Sequence, residues 1–197
     1  MKKVFIVAFF VLLAYPFNLM FGGSDIIQWS DVKQLTWKDF KKDNGKSPKP
    51  KLKSSIGIVI EPEQKDDNTM IANVYAEFNK ENSSKPNSEG QTDEALHHEQ
   101  LRFDLAEMYA RKERKQLPDS AYKTVGKFYI IAQHINKQIN KDFLTESAKY
   151  DEETKNGSDA TAQEKWDKDV SDRLGQLSSY TSDDKVELNI EKAIPKK

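Results

Sequence analysis

The segment Thr92–Gln116, TDEALHHEQLRFDLAEMYARKERKQ, decides the fold of this chain. Thr92 is a typical N-cap residue, and Asp93 and Glu94 bring acidic side chains to the first turn, where they suit the helix dipole. Because Pro118 ends the pattern, we predict one helix over the whole segment. Its apolar residues lie on more than one side, Leu96, Phe103, Ala106 and Ala110 on one and Leu101, Leu105, Met108 and Tyr109 on another. A helix that is apolar over so much of its surface packs against several neighbours, so we expect it at the centre of the fold.

Strand patterns precede this helix. Ile56–Ile60 is a short β-rich apolar run, and Met70–Phe78 alternates in the manner of a strand. The polar segment 63–68 between them predicts a turn, and therefore an antiparallel pair of strands. Ile26–Trp29 and Val186–Ile190 are shorter candidates for further strands.

Two more helices are predicted after Pro118. One begins near Asp119 or Ser120, and Asn156–Gly157 marks its C-terminal stop. Its predicted buried stripe recurs at spacings of three and four residues: Val125, Phe128, Ala132, Ile135 and Ile139. The other presents one apolar face, formed by Trp166, Val170, Leu174 and Leu177. Strands followed by helices predict an α+β fold in which a small antiparallel sheet packs against three main helices.

The N-terminus has the three parts of a secretory signal peptide. Two lysines are followed by an apolar run, Val4–Phe21, and by the small segment 22–24, Gly-Gly-Ser. An uncleaved anchor is the alternative, because the run approaches the length that spans a bilayer, but Pro16 and the small residues favour cleavage. We therefore expect residues 1–23 to be removed on export to the periplasm or beyond. Residues 24–197 would then form a single domain that does not associate with the membrane.

Composition argues against several classes of function. The chain has 31 basic and 32 acidic residues, a net charge of −1, so it lacks the positive charge of proteins that bind nucleic acid. It has no cysteine, which excludes disulfides, thiol catalysis, cysteine-ligated zinc and a lipid anchor attached through cysteine. No G-x-S-x-G, P-loop or dinucleotide fingerprint occurs, so serine hydrolase and nucleotide chemistry have no signal in this sequence.

The segment His98–Arg102 nearly matches the zinc-protease motif H-E-x-x-H. In that motif two histidines one helical turn apart bind one Zn²⁺, and the glutamate acts as general base on the metal-bound water. Here His98 and Glu99 hold the first two positions, but Arg102 occupies the second ligand position. A guanidinium has no lone pair to give a metal, so an ordinary zinc-peptidase site is not expected.

Three stretches of the chain resemble, in the same order, a bacterial family of exported proteins that is usually described as secreted zinc-dependent proteases. They are Leu35–Phe40 (LTWKDF), His98–Lys112 (HEQLRFDLAEMYARK) and Tyr150–Gly157 (YDEETKNG), with Gln163 and Trp166 after the last. The resemblance covers about residues 35–177. It implies a zincin-like fold and, for an intact member, zinc-dependent peptidase activity.

The resemblance also implies a role for individual residues. His98 matches the first zinc ligand and Glu99 the catalytic base, whereas Arg102 and Asn156 stand where the family has its other two histidines. A catalytic zinc normally keeps three protein ligands. The loss of two ligands therefore predicts a degenerate site without a bound cofactor.

Two interpretations of the altered site remain open. In one, Asp104, Glu107 or Asp151 replaces the missing ligands, and zinc stays bound beside the remaining histidine. In the other, Arg102 supplies the positive charge that the metal supplies in relatives, by pairing with Glu99 three residues away and with Asp151. The alternative for Arg102 is that it only extends along the helix surface towards solvent.

Other conspicuous residues are interpreted as structural. His97 neighbours His98, but consecutive helical residues point about 100° apart, so the two do not readily share a metal. His134 is expected at the surface or its boundary. Four aromatic residues within the resembling stretches are expected in the hydrophobic core: Trp37, Phe40, Tyr150 and Trp166.

These observations lead to three hypotheses for function. The first is an exported, zincin-like protein with a degenerate metal site, which binds a protein or cell-envelope component without catalysis. The second is an active zinc-dependent peptidase with a rearranged metal site, in which His98 is a ligand and Glu99 the base. The third is a structural protein without a partner.

Overall fold

The described part of the chain has the α+β architecture that the sequence predicts. The computed structural model describes residues 25–42, 51–120, 122–181 and 185–190. These ranges contain four β-strands and three α-helices. The predicted signal peptide, residues 1–23, lies outside the described residues. Within those ranges, no helix is both long and apolar enough to cross a membrane.

The sheet is antiparallel and is built around its longest strand, β3 (Thr69–Asn79). β2 (Ile56–Gln64) pairs along one edge of β3. β1 (Ile26–Gln28) and β4 (Val186–Asn189) pair with opposite ends of its other edge. The predicted antiparallel pair and both shorter strands are therefore confirmed. One face of β3 is almost inaccessible to solvent and packs in the core, as its alternation predicts, through Met70, Ala72, Val74, Ala76 and Phe78.

The central position predicted for the first helix is confirmed. α1 (Asp93–Gln116) contacts β2 and β3 on its sheet side and α2 (Val125–Glu153) and α3 (Ala160–Gln176) on its other sides. Thr92 caps α1, because its hydroxyl accepts the backbone N–H of Ala95 at 3.2 Å. Apolar residues on both predicted sides of α1 are buried, including Phe103, Leu105, Ala106, Met108 and Ala110.

The start of α2 differs from the prediction. The chain forms a 3₁₀ turn at Leu117–Asp119, and α2 begins at Val125 rather than near residue 120. Thr124 caps α2 by accepting the backbone N–H of Lys127 at 3.2 Å. The N-cap of α2 is therefore Thr124, which immediately precedes the apolar stripe, and not Asp119 or Ser120. The other end agrees with the prediction, since α2 stops at Glu153.

The predicted core aromatics are mostly buried. Phe40, Tyr150 and Trp166 are 2%, 1% and 8% exposed, while Trp37 is half-buried and packs on Phe40 with ring centroids 5.3 Å apart. His134 is exposed, as expected.

A buried ion-pair cluster ties α1 to its surroundings. Glu107 and Arg114 are both inaccessible to solvent, and the guanidinium donates to the two carboxylate oxygens at 3.0 and 3.1 Å. Arg111 adds a third hydrogen bond to Glu107 at 3.0 Å. Arg114 also donates to the backbone carbonyls of Val74 in β3 and Tyr180 after α3. The cluster therefore joins the helix, the sheet and the C-terminal segment through one carboxylate that two guanidinium groups share.

Glu113 is a further buried acid on α1, with a much poorer set of partners. Asn136 donates to its Oε2 at 3.0 Å, whereas its buried Oε1 has no hydrogen-bond partner in the described part of the chain. Burial raises the pKa of Glu113 to about 7. A neutral carboxyl loses less hydration on burial than a carboxylate, which suits a site with a single donor.

Glu113 should make the protein less stable as the pH rises from about 4.5 to about 7. Over this interval the unfolded chain has lost the proton that the folded chain still holds, so the free energy of unfolding falls with pH. Above a pH of about 7, the free energy of unfolding has fallen by on the order of 3 kcal/mol because of this group. Glu113→Gln should remove this dependence, as measured by urea unfolding across the interval. Glu164→Gln, at an exposed position on α3, is the matched control and should keep the wild-type profile. Parallel profiles for wild type and Glu113→Gln would contradict the assignment.

Candidate functional site

The H-E-x-x-H-like segment lies where the first turns of α1 meet the last turn of α2. His98, Glu99 and Arg102 come from α1, Asp151 from α2, and Ser54 from the segment before β2. Residues three and four positions apart share a face of a helix, so the three α1 side chains converge. These five residues are referred to below as the Arg102 cluster.

Arg102 is at the centre of the cluster and does not extend into solvent. Its Nη1 donates to Glu99 Oε2 at 3.1 Å, and its Nη2 donates to Asp151 Oδ1. The same Nη2 lies 3.3 Å from His98 Nε2. The side chain is only 15% exposed. The pairing of Arg102 with both carboxylates, one of the two arrangements considered from the sequence, is therefore present.

Glu99 is compensated by this guanidinium. The residue is 3% exposed, and its Oε2 also accepts a hydrogen bond from the hydroxyl of Ser54. Burying a carboxylate without a cation costs several kcal/mol (~3–5). Arg102 is thus the cationic partner of the buried Glu99 carboxylate.

His98 is fixed on every side. Its ring stacks on Tyr150, with centroids 4.3 Å apart and planes 18° apart. Its Nδ1 lies 3.3 Å from Gln163 Oε1, and its Nε2 lies 3.1 Å from Asp151 Oδ1. The hydroxyl of Tyr150 lies 2.9 Å from the same Gln163 oxygen, and burial raises the pKa of Tyr150. Both ring nitrogens of His98 therefore face protein groups.

Asp151 links the two helices electrostatically. Burial disfavours its ionised form, but the hydrogen bond with His98 and the charge of Arg102 outweigh that effect, so the pKa of Asp151 lies below its usual range. Asp151 is therefore ionised at neutral pH. Arg102 thus lies between two carboxylates, one from its own helix and one from α2.

The turn after α2 brings a glycine directly against His98. Lys155, Asn156 and Gly157 have φ angles of 52°, 56° and 84°, all in the left-handed region. A Cβ atom on Gly157 would lie 2.8 Å from His98 Cβ, which is closer than such atoms approach. Asn156, which the sequence resemblance predicts to replace a histidine, is exposed, and asparagine tolerates its conformation well.

Two of the candidate replacement ligands lie outside the Arg102 cluster. Asp104 accepts hydrogen bonds from the indole of Trp29 at 2.7 Å and from the amide of Gln100 at 2.8 Å, and burial raises the pKa of Asp104. Glu107 holds the buried arginines described above. The third candidate, Asp151, is the one that lies in the cluster.

Sequence reasoning missed Ser54 and the part played by Gln163. Ser54 lies 45 positions before Glu99 in the sequence, so no local sequence pattern predicts their hydrogen bond. Gln163 is a polar residue on the buried face of α3, three positions before Trp166. A polar residue at a core-facing position is the signal that identifies a partner of this kind.

The donor groups of the cluster do not fit a zinc ion. Within the described residues, no group of three or more His, Cys, Asp or Glu side chains is positioned to hold a metal. His98 and Asp151 offer two donor atoms, but the third group that meets them is Arg102, which has no lone pair. His97 does not contribute, because its exposed ring pairs with Asp167 at 2.9 Å.

No protein-family model, curated protein or solved structure matches this chain. The resemblance to secreted zinc-dependent proteases therefore stays a prediction from the sequence motifs. Function must then be inferred from the site itself.

Gly157→Ala should destabilise the protein by about 3 kcal/mol, because it combines backbone strain at positive φ with a collision against His98. The free energy of urea-induced unfolding measures this. The matched control is Gly126→Ala in the first turn of α2, where a new Cβ would meet no atom within 4 Å. That variant should be as stable as wild type or slightly more stable. Equal effects of the two substitutions would contradict the close approach of Gly157 to His98.

Proposed function

We propose that this chain is an exported, zincin-like binding protein whose former metal site is held together by Arg102 and needs no cofactor. The observation that carries the proposal is the guanidinium between the carboxylates of Glu99 and Asp151. There it brings positive charge to the same histidine and glutamate that the resemblance assigns to zinc chemistry. In this proposal the protein acts by binding a protein or cell-envelope component and not by catalysis.

The charge of Arg102 opposes zinc binding. A dication held by His98 and Asp151 would lie beside a guanidinium that is permanently charged and largely buried, and like charges at such distances repel strongly. Zinc binding would therefore require Arg102 to leave both carboxylates. Glu99 would then be a buried charge without a cationic partner.

The position of Glu99 also argues against its acting as a general base. A base must reach the proton of a water or substrate within about 3 Å. Glu99 is buried, and its carboxylate is already engaged by Arg102 and Ser54. The cluster therefore keeps only the first histidine and the glutamate of the H-E-x-x-H motif, and it lacks the exposed base that hydrolysis needs.

The class of partner follows from charge and from the N-terminal pattern. A net charge of −1 favours a protein or envelope component over nucleic acid. Export rests on the signal-peptide pattern of residues 1–23, which directs the remaining chain to the periplasm or beyond. The mature protein would act there without associating with the membrane.

The alternative is an active zinc-dependent peptidase with a rearranged site. One observation favours it, because His98 Nε2 and Asp151 Oδ1 lie 3.1 Å apart and both are typical metal ligands. In this alternative Glu99 would serve as the base once Arg102 had moved away. The metal content of the protein separates the two functions.

Mature protein, purified after export of the full chain and dialysed after exposure to zinc, should retain almost no zinc. Arg102→His/Asn156→His restores the family's three-histidine pattern and should bind about one zinc per chain, measured by inductively coupled plasma mass spectrometry. Histidine is one of the residues that tolerates the left-handed conformation of position 156. Adding His98→Ala to the double variant should abolish its zinc binding.

The two possible failures have different meanings. Stoichiometric zinc in wild type that disappears in His98→Ala would overturn the metal-free proposal and favour the peptidase. A double variant that folds but binds no zinc would contradict the zincin-like geometry, while leaving the role of Arg102 in the wild-type site intact.

A further inference from the structure

One side of α2 faces solvent and carries lysines whose charge is not compensated. Lys127, Lys137 and Lys141 recur with Ile130 and Leu144 at helical spacings, so the five side chains share one side of the helix. All five are exposed, Ile130 to 63% and Leu144 to 61%. Among the described residues, no acid forms an ion pair with any of these three lysines. These five residues are referred to below as the basic stripe.

The acidic residues of α2 that follow the basic stripe are engaged elsewhere or lie apart from it. Glu146 accepts from Arg173 at 2.6 and 2.9 Å. Asp142 accepts from the amide of Gln138 at 2.8 Å and lies about 100° around the helix from Lys141. Glu152 is about 16 Å further along the helix axis than Lys141. The positive charge of the stripe is therefore available to a partner.

The solvent side of the sheet carries uncompensated negative charge. Because side chains alternate along a strand, Glu77 of β3 lies on the side opposite the buried face, and the antiparallel register places Glu61 and Glu63 of β2 on that side too. Glu61 and Glu63 are exposed, and Glu77 is half-buried. Burial, together with the charge of Glu61, raises the pKa of Glu77.

These three glutamates are referred to below as the acidic sheet face. In the part of the chain that the structure describes, no cation forms an ion pair with them. Lys65, at the end of the same hairpin, already pairs with Glu187 at 3.0 Å. A cation brought to this side of the sheet would therefore offset the repulsion between neighbouring carboxylates.

We propose that the basic stripe of one copy of this protein docks on the acidic sheet face of a second copy. The lysines then meet the glutamates, and the exposed Ile130 and Leu144 gain apolar neighbours in Val59 and Ile71, which are half-buried on the same side of the sheet. The net charge of −1 adds little repulsion between whole copies, so the two faces dominate their interaction.

The contact is heterologous, because the two faces share no residue. One chain can therefore bind a neighbour through each face, and copies associate head to tail. This association goes beyond the proposed function and does not depend on the Arg102 cluster.

Sedimentation velocity of the mature protein tests the proposal. Wild type at about 0.1 mM should form species larger than a monomer. These should dissociate as the salt concentration rises from about 0.01 M to about 1 M, because the Debye length falls from about 30 to about 3 Å. Lys137→Glu/Lys141→Glu and Glu61→Lys/Glu63→Lys each bring like charges together, and each should weaken association about a hundredfold or more.

The variant that combines all four substitutions exchanges the signs of the two faces at unchanged net charge, and it should associate again. Lys115→Glu/Lys165→Glu is the matched control, since it makes the same change in net charge as the stripe variant at exposed positions outside both faces. The control should associate like wild type, and circular dichroism checks that every variant is folded. The proposal is overturned if wild type stays monomeric at low salt, if the control loses association equally, or if the combined variant folds but stays monomeric.

Discussion

The position of α1 constrains every polar residue that it carries. The helix contacts β2, β3, α2 and α3, so a charged side chain on most of its surface must find a partner inside the protein. Three glutamates meet this constraint differently. Glu107 pairs with two arginines, Glu99 pairs with Arg102, and Glu113 has an amide donor and a raised pKa. The same arginines also donate to Val74 in β3, Leu174 in α3 and Asp151 in α2, which connects the helix to the sheet and to both other helices.

A guanidinium and a metal ion satisfy such a site in different ways. Both bring positive charge to buried carboxylates, but the guanidinium does so through N–H donors of fixed geometry and activates no water. Arg102 therefore keeps Glu99 and Asp151 in place without a metal. In the proposed function, the scaffold of a peptidase site persists as a structural junction between α1 and α2.

Most of the fold was predictable from local patterns, and the site only in part. Spacing on one helix predicted the contact of Arg102 with Glu99, because three residues separate them. Ser54 was not predictable, since tertiary folding alone brings it to the site. Glu107 was considered as a metal ligand although arginines four and seven positions later share its helix face, a pattern that predicts the buried ion pairs instead. The start of α2 was misplaced because several N-cap residues compete there.

A double-mutant cycle on Glu99 and Arg102 tests most directly whether the guanidinium compensates the buried carboxylate. Arg102→Met alone should lower the free energy of unfolding by about 3 kcal/mol or more, because it leaves Glu99 buried without a cation. Adding Glu99→Gln should recover much of this loss, giving a coupling energy of about 2 kcal/mol or more in urea unfolding. Effects that add within about 0.5 kcal/mol would contradict the proposed replacement of metal by arginine.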